Sequence, residues 1–460
     1  MKRILILSAI LFVVTGASGA EDKLTFGKFG TVHLYRRSEH PSGVVLFVSG
    51  DGGWNLGVVD MARELATLDA LVVGIDIRAY LRAMEAAGGA CSYPAADFEA
   101  LGKFVQKTLG FPAYVPPVLV GYSSGATLAY ATIVQAPPNT FRGAISMGFC
   151  PDLPLHRPLC KGSGLAWTAG PKGKGYSFLP AASSHTPWVA FQGDADKVCD
   201  PSSIAAFVKE TNNAGIVVLP KVGHGFSVTK NWMPQFRDSF ARLVAPRESD
   251  APPRAEPVKD LPLVEVPATG PPSDTFAVII SGDGGWAGLD REVAGALSGH
   301  GVPTVGVNSL QYFWTPRNPD GAARDLERIV RHYLAAWSKE RVLLIGYSLG
   351  ADVLPFMTNR LPTDLLARVR QIDLIGPGRR VEFEFHVAEW LGGGDKGMPI
   401  LPEVLKLKGR KILCFYGEEE SDSLCKDLGP GVAQSVLLSG GHHFGGDYEG
   451  IATRILAEAK

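Results

Sequence analysis

The chain has 460 residues, of which 46% are hydrophobic and 20% charged, and its formal net charge is -1. That length supports two ordinary domains with full cores. The balanced charge excludes a general nucleic-acid binder while leaving room for a local charged pocket.

In chain order, residues 1–20 read as a secretory signal. Lys2 and Arg3 precede an apolar run over 4–14, and Ser18-Gly19-Ala20 forms a small-residue cleavage site. The run is short of the ~20 residues a bilayer-spanning helix needs. No cysteine follows the run, which argues against a lipoprotein. The expectation is export with signal cleavage, no transmembrane segment afterwards, and a periplasmic location in a Gram-negative source.

A first domain is expected over 24–245. Its strands are predicted at 44–48, 71–75, 118–120, 144–147, 188–191 and 216–219, with helices near 58–68, 95–108, 125–135 and 202–210. Prolines crowd 246–272 among charged residues, a composition that predicts a stiff extended linker. A second domain follows over 273–460. Its strands are predicted at 277–280, 304–307, 342–345, 372–375, 412–416 and 435–438, with helices near 291–299, 322–338, 350–359 and 448–459. Unbroken apolar strands between amphipathic helices mean, in each domain, an α/β architecture: a mostly parallel sheet with helices on both faces. Two insertions, 149–187 and 377–409, are long enough to act as caps over a site. The first carries Lys161, Lys172 and Lys174; the second carries Arg379, Arg380, Phe383, Phe385, Trp390 and a glycine run, Gly392 to Gly394.

The two domains are copies of one another. Ser49-Gly50-Asp51-Gly52-Gly53-Trp54 recurs as Ser281-Gly282-Asp283-Gly284-Gly285-Trp286. Gly121-Tyr122-Ser123-Ser124-Gly125 recurs as Gly346-Tyr347-Ser348-Leu349-Gly350. Asp196-Lys197-Val198-Cys199 is matched by Asp422-Ser423-Leu424-Cys425, and Gly223-His224-Gly225-Phe226 by Gly441-His442-His443-Phe444. Four landmarks in one order establish an internal duplication.

These landmarks carry the chemistry of nucleophilic hydrolysis. Each G-x-S-x-G follows a buried strand and opens a helix, the setting that lifts a serine hydroxyl above a sheet edge. A serine nucleophile needs a base, an acid that orients the base, and N–H donors for the oxyanion. Both halves supply Ser, then Asp, then His, in loops that leave strands at the same sheet edge. The inferred triads are Ser123–Asp196–His224 and Ser348–Asp422–His442. Asp422 is preferred over Glu418, Glu419 and Glu420 by its register with Asp196, and His442 over His443 by its register with His224. The Gly-Asp-Gly-Gly loops stand where oxyanion donors belong, giving the N–H groups of Asp51 and Ser124 in the first half and of Asp283 and Leu349 in the second. Trp54 and Trp286 are candidates for pocket walls. Six cysteines divide four and two between the halves, so disulfides should stay within each half, Cys414 with Cys425 in the second. No metal-ligand spacing and no nucleotide fingerprint is present, so no metal or other cofactor is expected.

The second half also resembles a known family. The residues that carry this are Ser281 to Trp286, Tyr312-Phe313-Trp314 with Arg317 and Pro319, Gly346-Tyr347-Ser348-Leu349-Gly350-Ala351-Asp352-Val353-Leu354-Pro355-Phe356, and Gly441-His442-His443-Phe444. Together they are similar to the bacterial virulence protein VirJ/AcvB family, in its longer AcvB-like two-domain form. The resemblance implies two tandem α/β-hydrolase domains and a periplasmic serine hydrolase. It also implies hydrolysis of the aminoacyl ester of aminoacyl-phosphatidylglycerol, lysyl or alanyl, at the membrane surface. Ser348, Asp422 and His442 would be nucleophile, acid and base. Trp286, Tyr312, Trp314 and Arg317 are expected at the substrate, with Arg317, Arg379 or Arg380 toward the phosphate. Type IV secretion components are a further partner that the resemblance implies. In the first half Tyr80-Leu81-Arg82 stands where the second has Tyr312-Phe313-Trp314, so the two pockets should differ. A general exported esterase or peptidase, or a periplasmic accessory factor, is the alternative.

Overall fold

The computed structural model describes residues 22–39, 41–245, 258–385 and 397–459. The expected signal segment, the first part of the linker, Trp390 and Gly392 to Gly394 lie outside the described residues.

Each half is built on one sheet. In the first, eight strands run in the order Asp22–Phe26, Gly30–Tyr35, Ala70–Ile75, Gly43–Val48, Val118–Tyr122, Gly143–Met147, Trp188–Gly193 and Ala214–Leu219. The second sheet has seven, in the order Leu263–Val266, Thr304–Val307, Thr275–Ile280, Arg341–Tyr347, Val369–Ile375, Ile412–Gly417 and Gln434–Leu438. The inner strands pair in parallel, and antiparallel strands close one edge of each sheet. Strands such as Gly43–Val48 and Thr275–Ile280 are buried along their whole length. Helices cover both faces, as continuous apolar runs require. Both sheets have a hydrophobic core on either face.

The opening hairpin, Asp22–Phe26 with Gly30–Tyr35, is not among the predicted strands. Its signal is a short alternation: Val32 and Leu34 are buried while Thr31 is exposed. Helices Ile77–Ala86 and Met233–Val244 are likewise additions to the predicted set. The linker is shorter than its proline content suggests. Val258 and Leu261 are buried, and Leu263–Val266 pairs antiparallel with Thr304–Val307 as the edge strand of the second sheet. Pro262 and Pro267 bracket that strand, and an edge position tolerates proline because one row of its N–H groups needs no partner.

The described residues of both insertions include regular structure. The first contains a three-stranded sheet of Asp152–Leu153, Trp167–Ala169 and Tyr176–Phe178. The second contains a small pair, Arg380–Val381 with Met398–Pro399, followed by the helix Leu401–Lys406. Three disulfides form, Cys91–Cys160, Cys150–Cys199 and Cys414–Cys425, each inside one half.

The halves pack against each other through Trp314, which is 2% exposed and joins the hydrophobic core of the first half together with Leu310 and Phe385. Its indole N–H donates to the Phe111 carbonyl at 2.8 Å. Lys107, on the helix Pro94–Thr108, donates to the Trp314 carbonyl at 2.6 Å and to Glu384 at 3.1 Å.

Candidate active sites

Both predicted serines sit on sharp strand-to-helix turns. Ser123 has φ 54° and ψ -124°, and Ser348 has φ 52° and ψ -121°. A non-glycine residue held there is strained, and the surrounding structure enforces it. The flanking glycines are required by space: a Cβ on Gly121 would lie 2.0 Å from the Gly125 carbonyl oxygen, and one on Gly350 would lie 1.9 Å from that of Ile280.

The first triad is complete. His224 Nε2 lies 2.9 Å from Ser123 Oγ, and His224 Nδ1 lies 2.9 Å from Asp196 Oδ2. Asp196 also accepts from Gln192 Nε2 and from the N–H groups of Val198 and Cys199. Burial works to raise its pKa, but the bonds from His224, Val198 and Cys199 outweigh burial and hold the carboxyl below its usual range. The Cys150–Cys199 bridge joins the loop bearing Asp196 to the loop after Gly148. Gly148, at φ 64°, is the seat of the histidine: a Cβ there would stand 3.1 Å from His224 Cε1.

The second half repeats the seat but changes the acid. Gly376, at φ 62°, would place a Cβ 2.8 Å from His442 Cε1. The carboxylate at His442 Nδ1 is Glu420, whose Oε1 lies 2.6 Å away. Asp422 is exposed, and its carbonyl accepts from Arg379 Nε at 3.1 Å. The expected Asp422 is therefore replaced by Glu420, and the reason is register. Asp196 follows the strand-end Gly193 by three residues, and Glu420 follows Gly417 by the same interval. The cysteine match that favours Asp422 lies beyond a two-residue length difference. Burial also opposes the ionised Glu420, but bonds to His442 and from the Gly417 N–H outweigh it and lower its pKa. His443 is engaged elsewhere, with its Nδ1 3.1 Å from the Tyr347 hydroxyl. Its pKa is lowered by burial and then by His442. The Tyr347 ring stacks on His442 with centroids 5.3 Å apart.

The Gly-Asp-Gly-Gly loops abut the nucleophiles. A Cβ on Gly50 would lie 3.0 Å from Ser123 Cβ, and one on Gly282 would lie 3.4 Å from Ser348 Cβ. Asp283, Ser348 and Leu349 line one small cavity of about 80 Å³, the arrangement expected if backbone N–H groups there face an oxyanion. In the first half the Ser124 hydroxyl donates to Asp51 at 2.5 Å. The tryptophans that close these loops are packed against glycines on the next strand. A Cβ on Gly74 would lie 2.0 Å from the Trp54 ring, and one on Gly306 would lie 2.1 Å from the Trp286 ring.

The expected substrate contacts of the second half divide. Trp286 lines a cavity between the halves. Tyr312 is buried with its hydroxyl on Asp325 at 2.6 Å, and Arg317 lies over the Tyr312 ring with its backbone N–H on Phe383. Trp314 is the anchor between the halves. Tyr312, Trp314 and Arg317 are thus structural here. Arg379 pairs with Asp427, whereas Arg380 lines the small cavity beside Ser348 with Asp352, Glu382 and Glu384. A larger cavity of about 640 Å³ opens on Ser348, His442 and His443. Asp196, Cys199 and His224 are near one another, but Cys199 is in a disulfide, so this trio is no metal site.

Mostly parallel sheets with helices on both faces make each half an α/β-hydrolase fold, and the first half brings Ser123, His224 and Asp196 into one hydrogen-bonded chain. Residues 274–460 match the family model described as bacterial virulence protein (VirJ). No curated protein matches the chain in sequence. Several solved structures are similar over about half of it. The esterase domain of a Rhodothermus marinus protein is 17% identical, covering 49% of this chain and 98% of its own, at TM-score 0.34. An α/β serine hydrolase without lid from Xanthomonas campestris is 20% identical over 49% and 93%, at TM-score 0.31. Thermogutta terrifontis esterase 2 is 16% identical over 49% and 94%, at TM-score 0.33.

Proposed function

We propose that the protein is a serine hydrolase that cleaves the aminoacyl ester of aminoacyl-phosphatidylglycerol, lysyl or alanyl, releasing the free amino acid and phosphatidylglycerol. The observation that carries this reading is the surroundings of Ser348. Its small cavity sets Arg380 among Asp283, Asp352, Glu382 and Glu384, a mixture suited to a phosphate on one side and an ammonium on the other. Three disulfides favour an oxidising compartment such as the periplasm.

In this reading Ser348 Oγ attacks the ester carbonyl while His442 Nε2 accepts the hydroxyl proton, and Glu420 holds the resulting imidazolium. The Asp283 and Leu349 N–H groups stabilise the tetrahedral oxyanion. The carbon–oxygen bond to the glycerol breaks, and His442 returns its proton to the departing alkoxide. Water, deprotonated by His442, then cleaves the acyl-serine and frees the amino acid.

The test is release of lysine or alanine from vesicles containing the aminoacylated lipid. Purified protein should release it, and Ser348→Ala should abolish release. Equal release by Ser348→Ala, or faster turnover of soluble peptides than of the lipid, would overturn the assignment. Ser123→Ala, assayed beside it, measures the share of the first triad.

A further inference from the structure

The cavity on Ser348 is not built by the second half alone. Facing Ser348 and His442 across its 640 Å³ are Tyr93, Ala95, Ala96 and Glu99 from the first half. Ala95, Ala96 and Glu99 belong to the helix Pro94–Thr108, whose other end carries Lys107, the residue bound to Trp314 and Glu384. One helix therefore both fastens the halves together and walls the site. Its start is rigidly held: the Ala95 N–H donates to Gln135 Oε1 at 3.0 Å, and the Cys91–Cys160 bridge lies just before it.

A second cavity of about 500 Å³ adjoins the first, sharing Glu99, Thr140, Gly284 and Ala287. Its wall includes Leu263, Trp286 and Leu310 from the second half and Phe141 from the first. Two polar groups on the first-half wall beside Ser348 are already engaged. Glu99 is paired with Lys103 at 2.9 Å, and the Tyr93 hydroxyl donates to the Gln135 carbonyl. Burial lifts the Tyr93 pKa to about 12, so it stays neutral. Along this seam the cavity on Ser348 is thus mainly apolar, whereas the adjoining one also carries Arg142 and Lys259, and both lie within the size range that engulfs most of a small ligand.

We propose that this seam is the acyl-chain cleft of the Ser348 site, with helix Pro94–Thr108 as its specificity wall, and that it takes the apolar chain of an amphiphilic ester. This rests on Ser348 being the nucleophile of an esterase. The first half thus sets the substrate range of the second, whatever its own triad does.

The test uses the full chain carrying Ser123→Ala, so that only Ser348 reacts, with and without Ala96→Trp to fill the seam. The ratio of kcat/KM for dodecyl alaninate to that for ethyl alaninate should fall by about tenfold or more, the loss of roughly two buried methylene groups. An unchanged ratio overturns the proposal. A separate arm needs no chemistry: Ser348→Ala protein is titrated with a fluorescent long-chain fatty acid. Saturable binding that weakens by about tenfold in Ser348→Ala/Ala96→Trp supports the cleft even if neither ester is hydrolysed, in which case the esterase reading alone fails. Binding that is absent, or equal in the two proteins with folding verified by circular dichroism, rejects the cleft.

Discussion

His442 Nδ1 lies 2.6 Å from Glu420 Oε1, while Asp422, two residues further on, is exposed. The acid that orients the imidazole of the second half is a glutamate. Glu420→Gln should lower kcat for lipid or ester hydrolysis by roughly 10²–10⁴-fold with little change in folding, because the wrong imidazole tautomer is then favoured. Asp422→Asn should stay within about twofold of the parent, as exposed substitutions usually do. Steady-state kinetics on the two variants in a Ser123→Ala background decide it, and the reverse ranking would return the acid to Asp422.

That pair also marks how far the sequence could be read. The duplicated landmarks suffice to place Ser123 beside His224, and Ser348 and His442 on one cavity, because each is tied to the end of a strand whose apolar run is unmistakable. The acid in the first half was legible for the same reason. In the second, alignment on Cys199 and Cys425 shifted the register, although these cysteines bridge to different partners, Cys150 and Cys414. Counting from Gly193 and Gly417 would have found Glu420. Tyr312, Trp314 and Arg317 were conspicuous in sequence, but side-chain identity alone does not distinguish an aromatic anchor between domains from one that contacts substrate. The wall supplied by Tyr93, Ala96 and Glu99 depends on packing between halves far apart in the chain, which no local pattern encodes.

The Cys150–Cys199 bridge ties together the loops that seat and orient His224. The double replacement Cys150→Ser/Cys199→Ser should destabilise the first half by about 2–4 kcal/mol. It should also slow labelling of Ser123 by a fluorophosphonate, leaving Ser348 labelling near the parental rate. Peptide mass spectrometry of the labelled serines reads both sites in one sample. Loss of stability with unchanged Ser123 reactivity would show that the bridge braces the domain without orienting the triad.

Asp373 is buried in the strand Val369–Ile375, with Gln371 Nε2 donating to one oxygen at 2.7 Å. Burial raises its pKa from 3.8 to about 8. The folded chain therefore keeps a proton that the unfolded chain releases, and stability falls as pH rises from about 4 to about 8. Asp373→Asn removes this dependence. Its Tm should exceed that of the parent at pH 8, and the gap should close toward pH 4. Thermal melts across that range would contradict the assignment if the two curves ran parallel.

Trp314 is sunk into the first half's core, so Trp314→Ala should cost about 3–5 kcal/mol, the range for removing a large buried aromatic. It should also loosen the join between the halves. Calorimetry should then resolve two transitions where the parent shows one. A single cooperative melt at reduced temperature would mean that Lys107 and its partners suffice to couple the halves.

The tryptophans packed on Gly74 and Gly306 constrain how the two copies can drift. At either glycine even a methyl group would collide with the indole, so the ring must be lost before any side chain can be gained. A change at the strand alone would be rejected at once. The acid, the cap and the cavity walls have all departed from the shared pattern, yet neither copy has passed through that two-step exchange. The ring and its bare strand position are therefore a durable relic of the single ancestral unit, useful for tracing its descendants after the catalytic residues have changed.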